Sequence, residues 1–216
     1  MLRPTVVRSI KLLLFDWDGT VVDSAHLGLA AFQKVFTELD VPFSDEIYEA
    51  NYSPNWYLIY EALRLPENLW QRADSLWRLH YDQQTADLVA GAADTLIELK
   101  RRGYRLGVVT SGNEDRVTRE VGQASLGRIF DVIVCAEHIV NRKPHPEGLE
   151  CALRRLDCEC ECAAYIGDAP EDIQMGKRAG TFTVGVHSNY PSSHRLLEVE
   201  PDLYLESIVQ LTDHFF

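Results

Sequence analysis

The chain has 216 residues, 46% of them hydrophobic and 25% charged, enough for one large domain or for a domain carrying an insert. A formal net charge of −12 with no basic block argues against nucleic acid or an anionic membrane surface as a general partner. No apolar run is long enough to span a bilayer, and the basic lead MLRPTVVRS meets a short apolar stretch without a small-residue cleavage site, so the expected location is the cytoplasm.

The first predicted element is the run IKLLLF at 10–15. It lacks the alternation of a half-buried strand and predicts one buried on both faces, as in a parallel sheet. Asp16 and Asp18 follow at its C-terminal end in FDWDGT, where open α/β sheets bind ligands. Their side chains are expected on the same side. Two ionised carboxylates that close repel each other unless a cation lies between them or one keeps a proton.

About 65 residues from Ser24 to Leu88 then hold helical patterns and no convincing strand, far more than a crossover needs. They predict an inserted helical subdomain. Trp56, Tyr60 and Leu63 fall at helical spacing, as do Trp70, Trp77 and Tyr81, and both groups are expected to build the core of the insert and not to stack on a ligand.

Strands follow at 104–109 (YRLGVV), 131–134 (DVIV), 163–167 (AAYIG) and 181–186 (TFTVGV), alternating with helical patterns over 92–102, 114–122, 146–156 and 170–179. This alternation implies right-handed crossovers and a parallel sheet covered by helices. The tail PDLYLESIVQLTDHF reads as a short strand and a closing helix. The five cysteines crowd toward DCECEC and lack the paired spacing of a zinc site; reduced thiols are expected.

Each strand end offers a polar station. Thr110-Ser111-Gly112-Asn113 combines a hydroxyl, backbone amides and an N-cap residue that can hold an anion. Lys143 precedes Pro144, which favours an extended backbone and a fixed cation aimed at the site. Asp168 stands directly at a strand end in GDAPED, with Asp172 in the turn of the following helix. Asp16, Asp18 and Asp168 together offer hard oxygen ligands suited to Mg²⁺.

The order DxDGT, TSGN, Lys-Pro, GDxxxD, each after an apolar strand, resembles the haloacid dehalogenase-like hydrolase superfamily over nearly the whole chain. It is similar to the phosphatase subgroup with a helical cap after the first strand, which includes phosphoglycolate phosphatases and β-phosphoglucomutase. The resemblance implies a Rossmann-like α/β core at 1–22 and 89–216 and a cap at 23–88. It implies a phosphatase acting on a small phosphorylated metabolite, as a monomer or homodimer.

By that resemblance Asp16 is the nucleophile that becomes an aspartyl-phosphate, and Asp18 is the general acid-base. Thr110, Ser111, Gly112 and Lys143 bind the phosphoryl group; Asp16, the backbone carbonyl of Asp18 and Asp168 hold Mg²⁺; Asp172 orients Lys143 or the hydration of the metal. Arg72, with Arg64, Arg78 and His80, stands ready on the cap for a second anionic group of the substrate. Dehalogenases of the superfamily use one aspartate and no metal, which Asp18 and Asp168 count against. The mutase asks for a histidine where this chain has Gly28, and phosphonatase for a cap lysine, of which the insert has Lys34 alone. The insert also lacks the glycine-containing specificity loop of phosphoglycolate phosphatases. A regulatory binding module with the same fold is the alternative from another class.

Overall fold

The computed structural model describes residues 9–216; the basic lead and the first eight positions of the expected core segment lie outside the described residues. Strands β1 (Leu12–Phe15), β4 (Arg105–Val109), β5 (Val132–Val134), β6 (Ala163–Gly167), β7 (Phe182–Val186) and β8 (Leu203–Leu205) form one sheet in the order β5-β4-β1-β6-β7-β8, every pair parallel. β1 lies inside it, Phe15 in register with Val108 on one side and Ile166 on the other.

Unbroken apolar runs are what two-sided burial demands. Leu13 and Phe15 face one core with Leu106, Val108, Ala164 and Ile166, while Leu12 and Leu14 face the other with Val109 and Tyr165. Helices α5 (Ala92–Arg101), α6 (Glu114–Gln123) and α9 (Leu211–His214) bring Leu96, Leu99, Val117, Val121 and Leu211 to the first face. α7 (Glu147–Arg155) and α8 (Pro170–Ala179) bring Leu149, Ala152, Leu153 and Met175 to the second. The chain leaves β1 toward β4 and leaves β6 toward β7, so the crevice between β1 and β6 is where the strand order reverses.

Between β2 (Val22–Asp23) and β3 (Asp87–Leu88) come helices α1 (Ala25–Glu38), α2 (Asp45–Asn51), α3 (Tyr57–Ala62) and α4 (Glu67–Tyr81). They share an aromatic-rich core that includes Phe32, Phe36, Tyr48 and Tyr60. Trp56, Leu63, Trp70 and Trp77 are half-buried against it, and Tyr81 packs on Leu27 and Ala31.

Two features depart from the sequence-based expectation. The insert does contain strand, since β3 pairs antiparallel with β2, Val22 opposite Leu88 and Asp23 opposite Asp87. Two residues are too few for a period to show. Trp56 and Trp77 also line the cleft beside the sheet in addition to packing on the insert's core.

Candidate active site

The ends of β1, β4 and β6 lie side by side, so Asp16, Thr110 and Asp168 open into one cleft together with Asp18, Ser111, Gly112 and Lys143. The turn after β1 is tight: the Trp17 carbonyl accepts from the Val21 and Val22 amides, and Gly19 donates to the Val22 carbonyl. Gly19 has φ +80°, a conformation that suits glycine. A side chain there would also collide with the Asp168 carboxylate and the Tyr190 ring.

Lys143, in the loop before α7, is buried. Its Nζ lies 2.7 Å from Asp16 Oδ1 and 2.7 Å from Asp172 Oδ1. The Lys143–Pro144 peptide is cis. Asp172 has two tasks: Oδ2 accepts from the Ala169 amide and caps α8, while Oδ1 accepts from Tyr165 Oη and pairs with the lysine. Asp168 accepts from the Thr20 and Ser188 hydroxyls.

Asp16, Asp168 and Asp172 can each place an oxygen within 4.8 Å of the others. Three buried carboxylates against one buried ammonium leave two negative charges uncompensated, which is costly away from water. A divalent cation matches that charge and this all-oxygen donor set. Burial pushes the Asp16 carboxyl up to about 7 against the pull of Lys143. Burial, with Asp172 and Asp16 adding to it, pushes Asp168 well above the carboxylate range. Burial also works against the charge on Lys143, yet Asp16 and Asp172 hold its ammonium above the ordinary lysine range.

Asp18 points elsewhere. Arg116, only 3% exposed on the first turn of α6, grips it in a fork, Nη2 to Oδ2 at 2.6 Å and Nη1 to Oδ1 at 2.9 Å. Ser24 donates to Oδ1 at 2.8 Å. Burial disfavours the Asp18 charge, but the Arg116 guanidinium and these hydrogen bonds hold its carboxyl below the usual range. Of the four aspartates expected at the metal site, Asp16, Asp168 and Asp172 form the side-chain cluster, while the Asp18 carboxylate is held by the Arg116 guanidinium.

A sequence profile of the haloacid dehalogenase-like hydrolases matches residues 13–186. The chain belongs to that family. Pyrophosphatase PpaX of Bacillus velezensis is 30% identical over 211 residues, covering 94% of this chain and 95% of its own; PpaX of Listeria innocua is 31% identical, with 94% of each chain covered. CbbY of Rhodobacter sphaeroides, solved in complex with phosphate, has TM-score 0.79 and 26% identity over 94% of this chain and 96% of that one. A haloacid dehalogenase-like hydrolase of Streptococcus pneumoniae has TM-score 0.84 and 24% identity over 97% and 100% of the chains, a likeness of fold. This haloacid dehalogenase-like hydrolase is an enzyme of the phosphatase kind.

Of the cap residues singled out in the sequence of this hydrolase, Arg78 lines the cleft, whereas Arg72 and Arg64 are exposed on the helical segment away from it and His80 pairs with Glu38 at 2.6 Å. Arg116 and Arg142 are cleft residues that the sequence reading missed. The signal for Arg116 was present. Arg116, Val117, Glu120 and Val121 repeat at helical spacing as one buried stripe. Arg142, beside Lys143, lies over the Trp56 ring at 4.4 Å and the Tyr57 ring at 5.3 Å, a contact only the folded chain creates.

Proposed function

We propose that this chain is a Mg²⁺-dependent phosphatase that hydrolyses a small phosphate monoester through an aspartyl-phosphate on Asp16. The observation that carries the reading is the buried Asp16–Lys143–Asp172 ion-paired group beside Asp168 at the end of the central strand. Asp16, Asp168 and the Asp18 backbone carbonyl would hold the ion, which when bound supplies charge neutralisation for a phosphoryl group entering a cleft of carboxylates.

Lys143 and Thr110 then bind the phosphoryl oxygens. The Gly112 amide donates to Thr110 Oγ1 at 3.0 Å, which leaves the Thr110 hydroxyl proton free for the substrate. Phosphoryl transfer asks for positioning and for donors where negative charge spreads. Asp16 attacks phosphorus as the ester P–O bond breaks; Asp18, ionised beside Arg116 in the free protein, takes up a proton as the substrate enters and passes it to the departing oxygen. Asp18, now ionised, takes a proton from water; the water oxygen attacks phosphorus, and the Asp16 carboxylate leaves as inorganic phosphate forms.

Mass spectrometry of quenched protein after exposure to an activated ester with Mg²⁺ tests the route. A phosphoryl adduct at Asp16 that vanishes in Asp16→Asn is expected; hydrolysis with full rate in that variant would overturn it. The PpaX relatives favour a second reading, inorganic pyrophosphate as substrate. Including pyrophosphate beside monoesters in one steady-state screen separates the two.

A further inference from the structure

The cap side of the cleft departs from what a wholly anionic substrate would need. Its wall is built from Phe32, Tyr48, Tyr52, Trp56, Trp77 and Tyr190, in a cleft whose whole volume, catalytic centre included, is about 250 Å³. Outside the carboxylate and lysine centre and the Asp18–Arg116 pair, the charged lining residues are Arg78 and Arg142 against Asp74 and Glu137. Among the described residues, no surplus of positive charge awaits a second phosphoryl group.

Gly28 gives this wall its depth. It lies within α1, where glycine is a poor helix former. A Cβ there would meet Tyr190 Oη and Tyr48 Oη at 3.9 Å and a Trp77 ring carbon at 4.0 Å. Those are ordinary contact distances, so no steric conflict excludes a side chain; the missing one leaves space for about one carbon between two tyrosine hydroxyls and the Trp77 ring edge, at the wall of the cleft. Tyr48 is 3% exposed, and among the described residues its hydroxyl has no hydrogen-bond partner.

The hollow is joined to the chemistry. Ser24 donates to Asp18 Oδ1 at 2.8 Å and lies 3.0 Å from Tyr190 Oη, and Tyr190 borders Gly28. Asp18 is the group that meets the departing oxygen, so whatever that oxygen carries is directed into this aromatic space. Aromatic faces stack on flat rings, and a cavity below the roughly 300–1,000 Å³ of drug-sized ligands suits a single one.

We propose that the substrate is a phosphate monoester whose alcohol carries one flat, apolar ring, aromatic or heteroaromatic, seated in the cleft against the wall formed by Gly28, Tyr48, Trp77 and Tyr190. The inference rests on the phosphatase reading for its chemistry and on the cleft alone for the ring. The test is built on that division. Calorimetry in Mg²⁺ compares benzylphosphonate with methylphosphonate, neither of which can be hydrolysed. Benzylphosphonate binds at least tenfold tighter, and Gly28→Leu, which fills the hollow, cuts that ratio to threefold or less. Gly28→Ala, whose single added carbon fits, narrows it by a smaller step and serves if the leucine variant fails to fold.

Steady-state turnover of benzyl phosphate exceeds that of propyl phosphate at least tenfold in kcat/KM, mainly through KM. Equal binding of the two phosphonates, or inorganic pyrophosphate outperforming benzyl phosphate, overturns the proposal. Ring-selective binding without turnover of any ester upholds the ring site and overturns the phosphatase reading instead.

Discussion

Arg116 shows how one side chain divides the labour of two aspartates. Its guanidinium is held by Asp18, by Glu120 Oε2 at 3.2 Å and over the Tyr81 ring at 4.9 Å, while Trp17 Nε1 donates to the same Glu120 oxygen at 2.7 Å. Arg116→Met keeps the length and removes the charge, stranding Asp18 and the buried Glu120. Breaking a buried pair from one side costs about 3 kcal/mol, so urea denaturation shows a loss of that order. The variant turns over an activated ester at least tenfold more slowly, and Arg116→Lys, a point charge without the fork, recovers only part of either loss. Unchanged stability and turnover in Arg116→Met would contradict the assignment. A second pair of variants separates the aspartates. Asp16→Asn forms no adduct, whereas Asp18→Asn with an activated ester forms the aspartyl-phosphate and stalls, because the leaving group needs little protonation but water still needs a base. Stable accumulation seen by intact mass in Asp18→Asn alone is the expected result. Asp16, Thr110, Lys143 and Asp168 were legible because each stands where an apolar run stops or a proline fixes the chain. Arg116 was passed over although its stripe on α6 was there to read, because a cation on an amphipathic helix ordinarily faces water.

At the scale of elements, the parallel sheet was readable because burial on both faces removes all polar positions from its strands, and observed boundaries differ from the runs by one or two residues, as at β1, which starts at Leu12 and not Ile10. The helices of the insert were readable from aromatic spacing. What no local pattern could show is the use of their outer rings: Trp56 and Trp77 belong both to the insert's packing and to the cleft, and only the docking of the segment on the sheet makes them so. α6 ties local folding to the site most directly. Asn113 caps it, its side chain accepting from the Arg116 amide at 2.9 Å, immediately after the Thr110–Gly112 turn that lines the cleft. Asn113→Ala therefore loses about 1 kcal/mol of stability and loosens the turn that positions both Arg116 and the anion-binding amides. A fall in kcat of several-fold accompanies it, and Asn113→Ser, which caps equally well, restores both. Loss of stability without loss of kcat would separate the cap from the site.

Over the whole molecule, burial of like charges makes stability depend on metal and pH together. Asp16 has its carboxyl pushed up to about 7 by burial, and Asp168 is raised in the same direction, whereas an aspartate in the unfolded chain titrates near ~3.9. Between about pH 4 and pH 7 the folded protein thus holds protons that the unfolded chain has released. Stability without metal falls as pH rises through that window. Asp18, held low by Arg116, acts oppositely: its contribution is complete above the unfolded value and is lost only as pH drops toward its own folded pKa. The optimum in chelator therefore lies at the acid end of that window, near pH ~4 and below the physiological range. Going from pH 5.5 to pH 8 costs on the order of 2 kcal/mol, which for a chain of this size lowers Tm by roughly 4–8 °C. Mg²⁺ needs the same carboxylates ionised, so binding displaces those protons and stabilises most at high pH. Differential scanning fluorimetry across this range, in chelator and in millimolar Mg²⁺, is expected to show a declining Tm in the first series and a flat one in the second. Asp168→Asn, which removes one of the crowded carboxylates, lessens both the decline and the response to Mg²⁺. A Tm in chelator that is constant or rises from pH 5.5 to 8, with Mg²⁺ making no difference at pH 8, would show that the buried carboxylates are balanced by the protein itself.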